Sequence, residues 1–309
     1  MVAMNLEKWI LQTQLKNEGE SMPIIWSLIS ATESDALLVV DKANSSLKCV
    51  NLSSGTIEVL YRSSDTYSLR DATFFADAQN KMHTLLLVEM HSDAAAQSMV
   101  YSLVVAELSN TMLSATQRFV LDSSPSAIND CSFANICTVH TNKVLIGVSE
   151  SASLDTFSLT STREAHKEEA IRLGFSYWCF TSGVCDGTAL LFVNELDTAK
   201  VRILEVRDGA PLALQLLQCI DGLRDPLLWR NNGLLFSAKL NKKFDTDTVQ
   251  VWHVSRGGRS SERLEGTPIT RADNVHINCW CLLGEKIAIC DWKTKDLAIY
   301  SCDLEKKYS

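Results

Sequence analysis

Residues 36–60, ALLVVDKANSSLKCVNLSSGTIEVL, alternate short apolar runs with polar turns in an order that predicts three successive strands. Leu37 to Val40 is continuously apolar, Leu47 to Leu52 alternates, and an apolar-polar run resumes from Ile57 to Leu60 after a turn ending at Gly55. Asp41 and Asn44 stand in the first connection, where short polar side chains satisfy local backbone donors. Together these elements read as a β-meander.

Weaker copies of that pattern run through the chain. Six segments repeat one order: a strand carrying an aromatic, a polar stretch, an apolar strand, a polar connection and an alternating strand. The aromatics are Trp26, Phe75, Phe133, Trp178, Trp229 and Trp280, at intervals of 49, 58, 45, 51 and 51 residues. Apolar strands at 37–40, 85–88, 144–148, 189–193, 234–238 and 287–290 have the length and composition of strands buried on both faces. Third strands are expected at 47–52, 99–108, 154–160, 200–206, 248–254 and 297–302, and fourth strands at 57–61, 117–121, 213–219 and 263–265. Aromatics that share a repeat position are expected to pack between neighbouring units before serving any surface role.

A period near 50 residues, repeated six times, predicts an all-β chain folded as a six-bladed β-propeller with four-stranded antiparallel blades. The expected blades are 20–63, 66–122, 126–172, 174–220, 222–267 and 271–309, forming one domain over 1–309. The sixth unit has no room for a fourth strand, and residues 6–15 belong to no complete unit. A strand within 5–16 is therefore expected to close the last blade and remove its open edge. The same residues also suit a short amphipathic helix. A seventh blade hidden in the long 66–125 unit is a further alternative, and residues 161–172, STREAHKEEAIR, fit either a short helix or a solvated edge.

The first unit resembles the repeat of NHL-type and related six-bladed propellers, through Asp41, Asn44, Leu47 and Gly55. The last unit repeats part of the motif at Asp291 and Leu297, and the fourth has Asn194 where Asp would stand. The resemblance implies the fold and points to no particular family.

Charge and cysteine usage narrow the function. Lys and Arg total 29 against 37 Asp and Glu, a net charge of −8 with no basic cluster along the chain, so a nucleic-acid partner is not expected. No apolar run reaches the ~18 residues of a membrane span, so no membrane association is expected either. The ten cysteines form no CxxC pair and several lie in apolar runs, as free thiols do in a reduced intracellular protein, cytoplasmic or nuclear.

Acidic residues recur shortly before the aromatic strands: Asp71, Asp130 and Asp225, with Asp273 more loosely placed. Two readings stand side by side. Such residues cap turns locally, or, if their strands are innermost, they gather at the channel mouth as oxygen ligands for calcium. Six-bladed lactonases are similar in holding a metal there, and His276 would then be the candidate general base. Cys279 and Cys281 share one strand face and are expected to be core residues. No GxSxG, GxGxxG or Walker-type motif is present. The leading expectation is a non-enzymatic scaffold that binds protein partners without a cofactor; a calcium-dependent lactonase or esterase is the alternative. Oligomeric state is left open.

Overall fold

Apolar runs of four or five residues flanked by turn residues become strands because a helix that short leaves its backbone groups unpaired, whereas a sheet pairs them with both faces covered. A computed structural model describes residues 8–11, 25–30, 36–75, 84–93, 98–109, 112–122, 134–140, 142–160, 164–196, 198–209, 211–223, 227–230, 233–240, 246–264, 277–283, 286–291 and 297–301. After β1 (Lys8–Leu11), blade 1 is β2 (Ile25–Ser30), β3 (Ala36–Asp41), β4 (Ser46–Asn51) and β5 (Ile57–Arg62). Blade 2 is β6 (Tyr67–Phe75), β7 (Thr84–Asp93), β8 (Ser98–Ser109) and β9 (Met112–Val120). Blade 3 is β10 (Ala134–His140), β11 (Lys143–Val148) and β12 (Ser153–Leu159), edged by two short pieces, β13 (Ala165–Lys167) and β14 (Ile171–Arg172). Blade 4 is β15 (Tyr177–Cys185), β16 (Thr188–Glu195), β17 (Lys200–Arg207) and β18 (Ala213–Asp221). Blade 5 is β19 (Leu227–Arg230), β20 (Leu234–Leu240), β21 (Thr246–Ser255) and β22 (Ser260–Arg263). Blade 6 is β23 (Ile277–Leu283), β24 (Lys286–Asp291) and β25 (Leu297–Ser301).

The sixth blade is completed by β1, which pairs antiparallel with β25 through Lys8↔Tyr300 to Leu11↔Leu297. That closure is the expected one, and the N-terminal helix alternative gives way to a strand. The first strands of successive blades, β2, β6, β10, β15, β19 and β23, touch one another in a closed circuit, so they are the innermost layer. The long second unit holds no extra blade. Its length goes into strands of 9, 10, 12 and 9 residues.

Six apolar clusters fill the six gaps between neighbouring blades. The second strands supply residues to both sides, which is why β11 is buried at every position. Trp229 stacks on Phe192 of the preceding blade, ring centroids 4.6 Å apart, and Trp280 meets Phe236 edge-on at 6.5 Å. In blade 4 the position belongs to Tyr177 and Phe180 instead of the expected Trp178. Trp178 is the extra residue of a bulge between Tyr177 and Cys179 and is only half-buried, while Tyr177 is fully buried. Trp26 and Phe75 fall in β2 and β6, and Phe133 lies outside the described residues.

Two glycines are required by close approach. A Cβ on Gly183 would sit 1.9 Å from the Trp229 ring, and one on Gly147 would sit 2.0 Å from the Tyr177 hydroxyl. Neighbouring blades therefore press an aromatic against bare backbone. The fourth strand of blade 5 is Ser260–Arg263, where 263–265 was expected. The tight turn at Gly257 and Gly258, both with positive φ, pairs Ser255 with Ser260 and pulls the strand forward.

Candidate functional site

Four blades share a polar device at the start of the innermost strand. Trp26, Arg70, Trp178 and Asn278 are each the extra residue of a bulge, and the residue paired just before the bulge is acidic every time: Asp41, Glu89, Glu195 and Asp291. A bulge breaks the ladder locally and leaves room for a side chain to meet backbone and side-chain donors. Glu195, not Asn194, therefore occupies the position of Asp41.

Each described acid is bound differently. Asp41 is fully buried, accepts from the Ala43 N–H at 3.0 Å and the Asn44 amide at 2.7 Å, and pairs with the equally buried Lys48 at 3.0 Å. Glu195 accepts a bidentate pair from Arg202 at 3.0 and 3.1 Å. Lys48 and Arg202 each lie seven residues after their acid and pair across to Val39 and Val193, so one register builds both ion pairs. The Arg202 hydrogen bonds hold the Glu195 carboxyl below its ordinary value. Glu89, fully buried, accepts from Tyr61 Oη at 2.8 Å and Ser63 Oγ at 2.5 Å and pairs with Arg118 at 2.6 Å. Burial, reinforced by Glu89, pushes the Tyr61 phenol well up. Arg118 in turn covers the Tyr67 ring at 4.4 Å, and Tyr67 lies 4.7 Å from the His91 ring.

Asp71 is the described member of the four expected channel-mouth carboxylates. It is buried on the innermost strand, accepting from the Ala72 N–H at 2.9 Å and from the Ile136 N–H at 3.1 Å. The second bond crosses from blade 2 to blade 3, so Asp71 fastens two innermost strands together. Asp130, Asp225, Asp273 and His276 lie outside the described residues. Among the described residues no group of three His, Cys, Asp or Glu is placed to hold a metal.

Cys279 and Cys281 join Cys290 in the apolar cluster between blades 6 and 1. Burial pushes the Cys279 thiol well up, helped by Cys290 beside it, and pushes Cys281 up to about 12. Both are protonated at neutral pH, which suits packing and disfavours nucleophilic or ligand roles. On blade 3 an open depression of about 400 Å³ is lined by Asp122, Ser151, Ala152, Ser153, Arg172 and Gly174. Asp155 beneath it accepts from the Asp122 N–H at 2.7 Å, and Lys167 bridges Asp122 at 3.0 Å and Asp155 at 3.5 Å.

The acid-to-base spacing of seven residues at Asp41/Lys48 and Glu195/Arg202 is visible in the sequence once the register is known. The Glu89 hub carries no such signal, because Tyr61, Ser63 and Arg118 lie 26 to 29 residues away in the chain.

No family model matches the chain, and no curated protein matches it. Solved structures do. A protein from Lactobacillus plantarum superposes with a TM-score of 0.64 at 13% identity, covering 92% of this chain and 82% of that one. A putative 6-phosphogluconolactonase from Bacteroides uniformis gives 0.61 at 12% identity, with coverages of 92% and 82%. The Cps50 (Swd1) β-propeller domain of Myceliophteria thermophila gives 0.53 at 12% identity, with coverages of 96% and 99%. At these identities what the chain shares with them is the fold, a β-propeller, which by itself specifies no function.

Proposed function

We propose that the protein is a non-enzymatic interaction module, a ring whose rims and outer clefts present surfaces to protein partners in a reducing, intracellular compartment. One observation carries this reading: three of the four acids that recur at the bulges are engaged internally, Asp41 by Lys48, Glu89 by Tyr61, Ser63 and Arg118, and Glu195 by Arg202. Asp71, on the innermost strand, is likewise engaged by two backbone N–H groups. A catalytic metal centre needs carboxylate oxygens turned toward open space; among the described residues Asp41, Asp71, Glu89 and Glu195 instead hold strands and blades together. Function is then left to the loops and outer strands, where the repeat imposes little. The eight described cysteines are free thiols, which supports the compartment.

Affinity capture from cells with the intact chain, repeated with calcium chelated, tests the proposal. A stoichiometric partner that is retained without calcium and lost on charge reversal of surface residues is the expected result. Lactone or ester turnover that requires calcium and disappears in Asp71→Asn, with the fold intact by circular dichroism, would overturn it in favour of the hydrolase.

A further inference from the structure

We propose that Cys279 and Cys290, which face each other across blade 6, form a site of reversible oxidation at which a peroxide joins them as a cross-strand disulfide. The site does not depend on which partner the ring binds and so goes beyond the interaction-module reading. Cys279 lies on the innermost strand, β23, and Cys290 on the second, β24, and the two are paired directly in the antiparallel ladder. Residues so paired have side chains on one face and Cα atoms about 4.5–5.5 Å apart, inside the span of about 4.4–6.8 Å that a disulfide bridges without moving the backbone. The two thiols are close enough for one to hydrogen-bond the other. Cys281, two residues along β23, faces Ala288 instead, and no other two of the described cysteines are paired in any ladder.

The pair sits at the seam where the ring closes, in the apolar cluster that blade 6 shares with Leu37 and Val39 of blade 1. Cys290 is only 1% exposed, whereas Cys279 is half-buried and follows directly on the bulge at Asn278, where the ladder is interrupted. Cys279 is therefore the thiol that a small solute reaches, and Cys290 is the one behind it. That is the division into an attacking and a resolving thiol that reversible cysteine oxidation uses. Burial holds the Cys279 thiol well up, and the titratable groups around it, Cys290, Cys281 and Asp71, push the same way. The pair is thus protonated and slow to react at neutral pH, so it stays reduced under a low peroxide load.

The small fraction of Cys279 present as thiolate attacks one oxygen of hydrogen peroxide. The O–O bond breaks, and the departing hydroxide takes up the proton that the thiol released, giving a sulfenic acid and one water. The Cys290 sulfur then displaces the sulfenic hydroxyl, which leaves with the Cys290 proton as a second water, and the S–S bond forms. Two thiols lose two electrons in all, and one peroxide gains them. A dithiol reductant reverses the change by thiol–disulfide exchange.

Peptide mapping by mass spectrometry of the whole chain, treated with hydrogen peroxide in the absence of reductant and then alkylated, tests the site. The expected product is a linked peptide pair joined through Cys279 and Cys290 and returned to two thiols by dithiothreitol. Its rate of formation is expected to rise roughly tenfold from pH 8 to pH 9, because the thiolate fraction grows about tenfold per unit while pH lies below the raised value. Cys279→Ser and Cys290→Ser are each expected to abolish the link, and Cys281→Ala to leave it in place. The map of the unaltered chain decides the pairing even where a variant folds poorly. A link through Cys281 in place of Cys279, or Cys279 carried on to sulfinic acid with Cys290 still a thiol, overturns the proposal. So does an unlinked pair at a peroxide dose that fully oxidises the exposed Cys219.

Discussion

The gap between blades 4 and 5 and the gap between blades 1 and 2 are both filled by an apolar cluster and differ in the group that crosses it. In the first, Trp229 lies flat on Phe192 and against the bare backbone of Gly183, and its indole N–H is left without a hydrogen-bond partner. In the second, a buried carboxylate, Glu89, crosses the gap to Tyr61 and Ser63 while Arg118 neutralises it. The apolar gap gains dispersion and buried area and forgoes one hydrogen bond. The polar gap meets a large desolvation cost and recovers it only because the acid has several well-placed donors. A blade repeat thus constrains the volume and the register of an interface far more than its chemistry.

The largest effect is expected from Trp229→Ala, which empties the aromatic slot and should cost about 3–5 kcal/mol in urea unfolding. Glu89→Ala should cost about 3 kcal/mol, because the Tyr61 and Ser63 hydroxyls lose their buried acceptor and Arg118 its counter-charge. Replacing the hub together, with Glu89→Leu, Tyr61→Phe and Ser63→Ala, should cost less than Glu89→Ala alone. A triple variant less stable than the single one would break the comparison, since the polar gap would then need its charge and not merely its volume.

Gly183→Ala should cost about 1–3 kcal/mol by forcing Trp229 away, and far less in the Trp229→Ala background. Equal costs in both backgrounds would show that Gly183 serves some end other than seating the indole. The smallest effects are those of pH. The Glu195 carboxyl is held down in the folded protein, so its contribution is present above the ordinary value near 4.5 and is lost as pH falls through the lowered one. The Cys281 thiol is raised from 9.0 to about 12, so its contribution is intact below 9 and is lost as pH rises toward 12. Melting temperature against pH checks both arms. Arg202→Gln should flatten the acid arm and Cys281→Ala the alkaline one.

Much of the architecture was legible because it follows from short-range rules. The apolar runs of β3, β7, β11, β16, β20 and β24 announced strands covered on both faces, and the shortage after β25 announced that an N-terminal strand would complete the blade. Boundaries were less legible where turn geometry intervened, as at the Gly257–Gly258 hairpin. The aromatic of blade 4 was misplaced by one residue because a bulge turns Trp178 off the buried face and Tyr177 onto it. The same bulge places Glu195, and not the expected Asn194, at the position of Asp41.

Of the site, the sequence supplied the acid inventory and little of its use. It determined by itself the period and the order of strands within a unit, consequences of a two-residue alternation and of turn chemistry that act locally along the chain, whereas the structure decided between six and seven blades and between a closing strand and a helix at the N-terminus. Only the tertiary structure decided that Asp71 reaches the Ile136 N–H of the next blade, that Glu89 gathers donors from Tyr61 and Ser63, and that Arg207 and Arg259 meet over Glu205. Apart from the Glu205–Arg207 pair, those contacts join residues 26 to 65 positions apart. No local pattern encodes them, because they arise where curved sheets come together, and their strength depends on burial and donor geometry that exist only once the ring has closed.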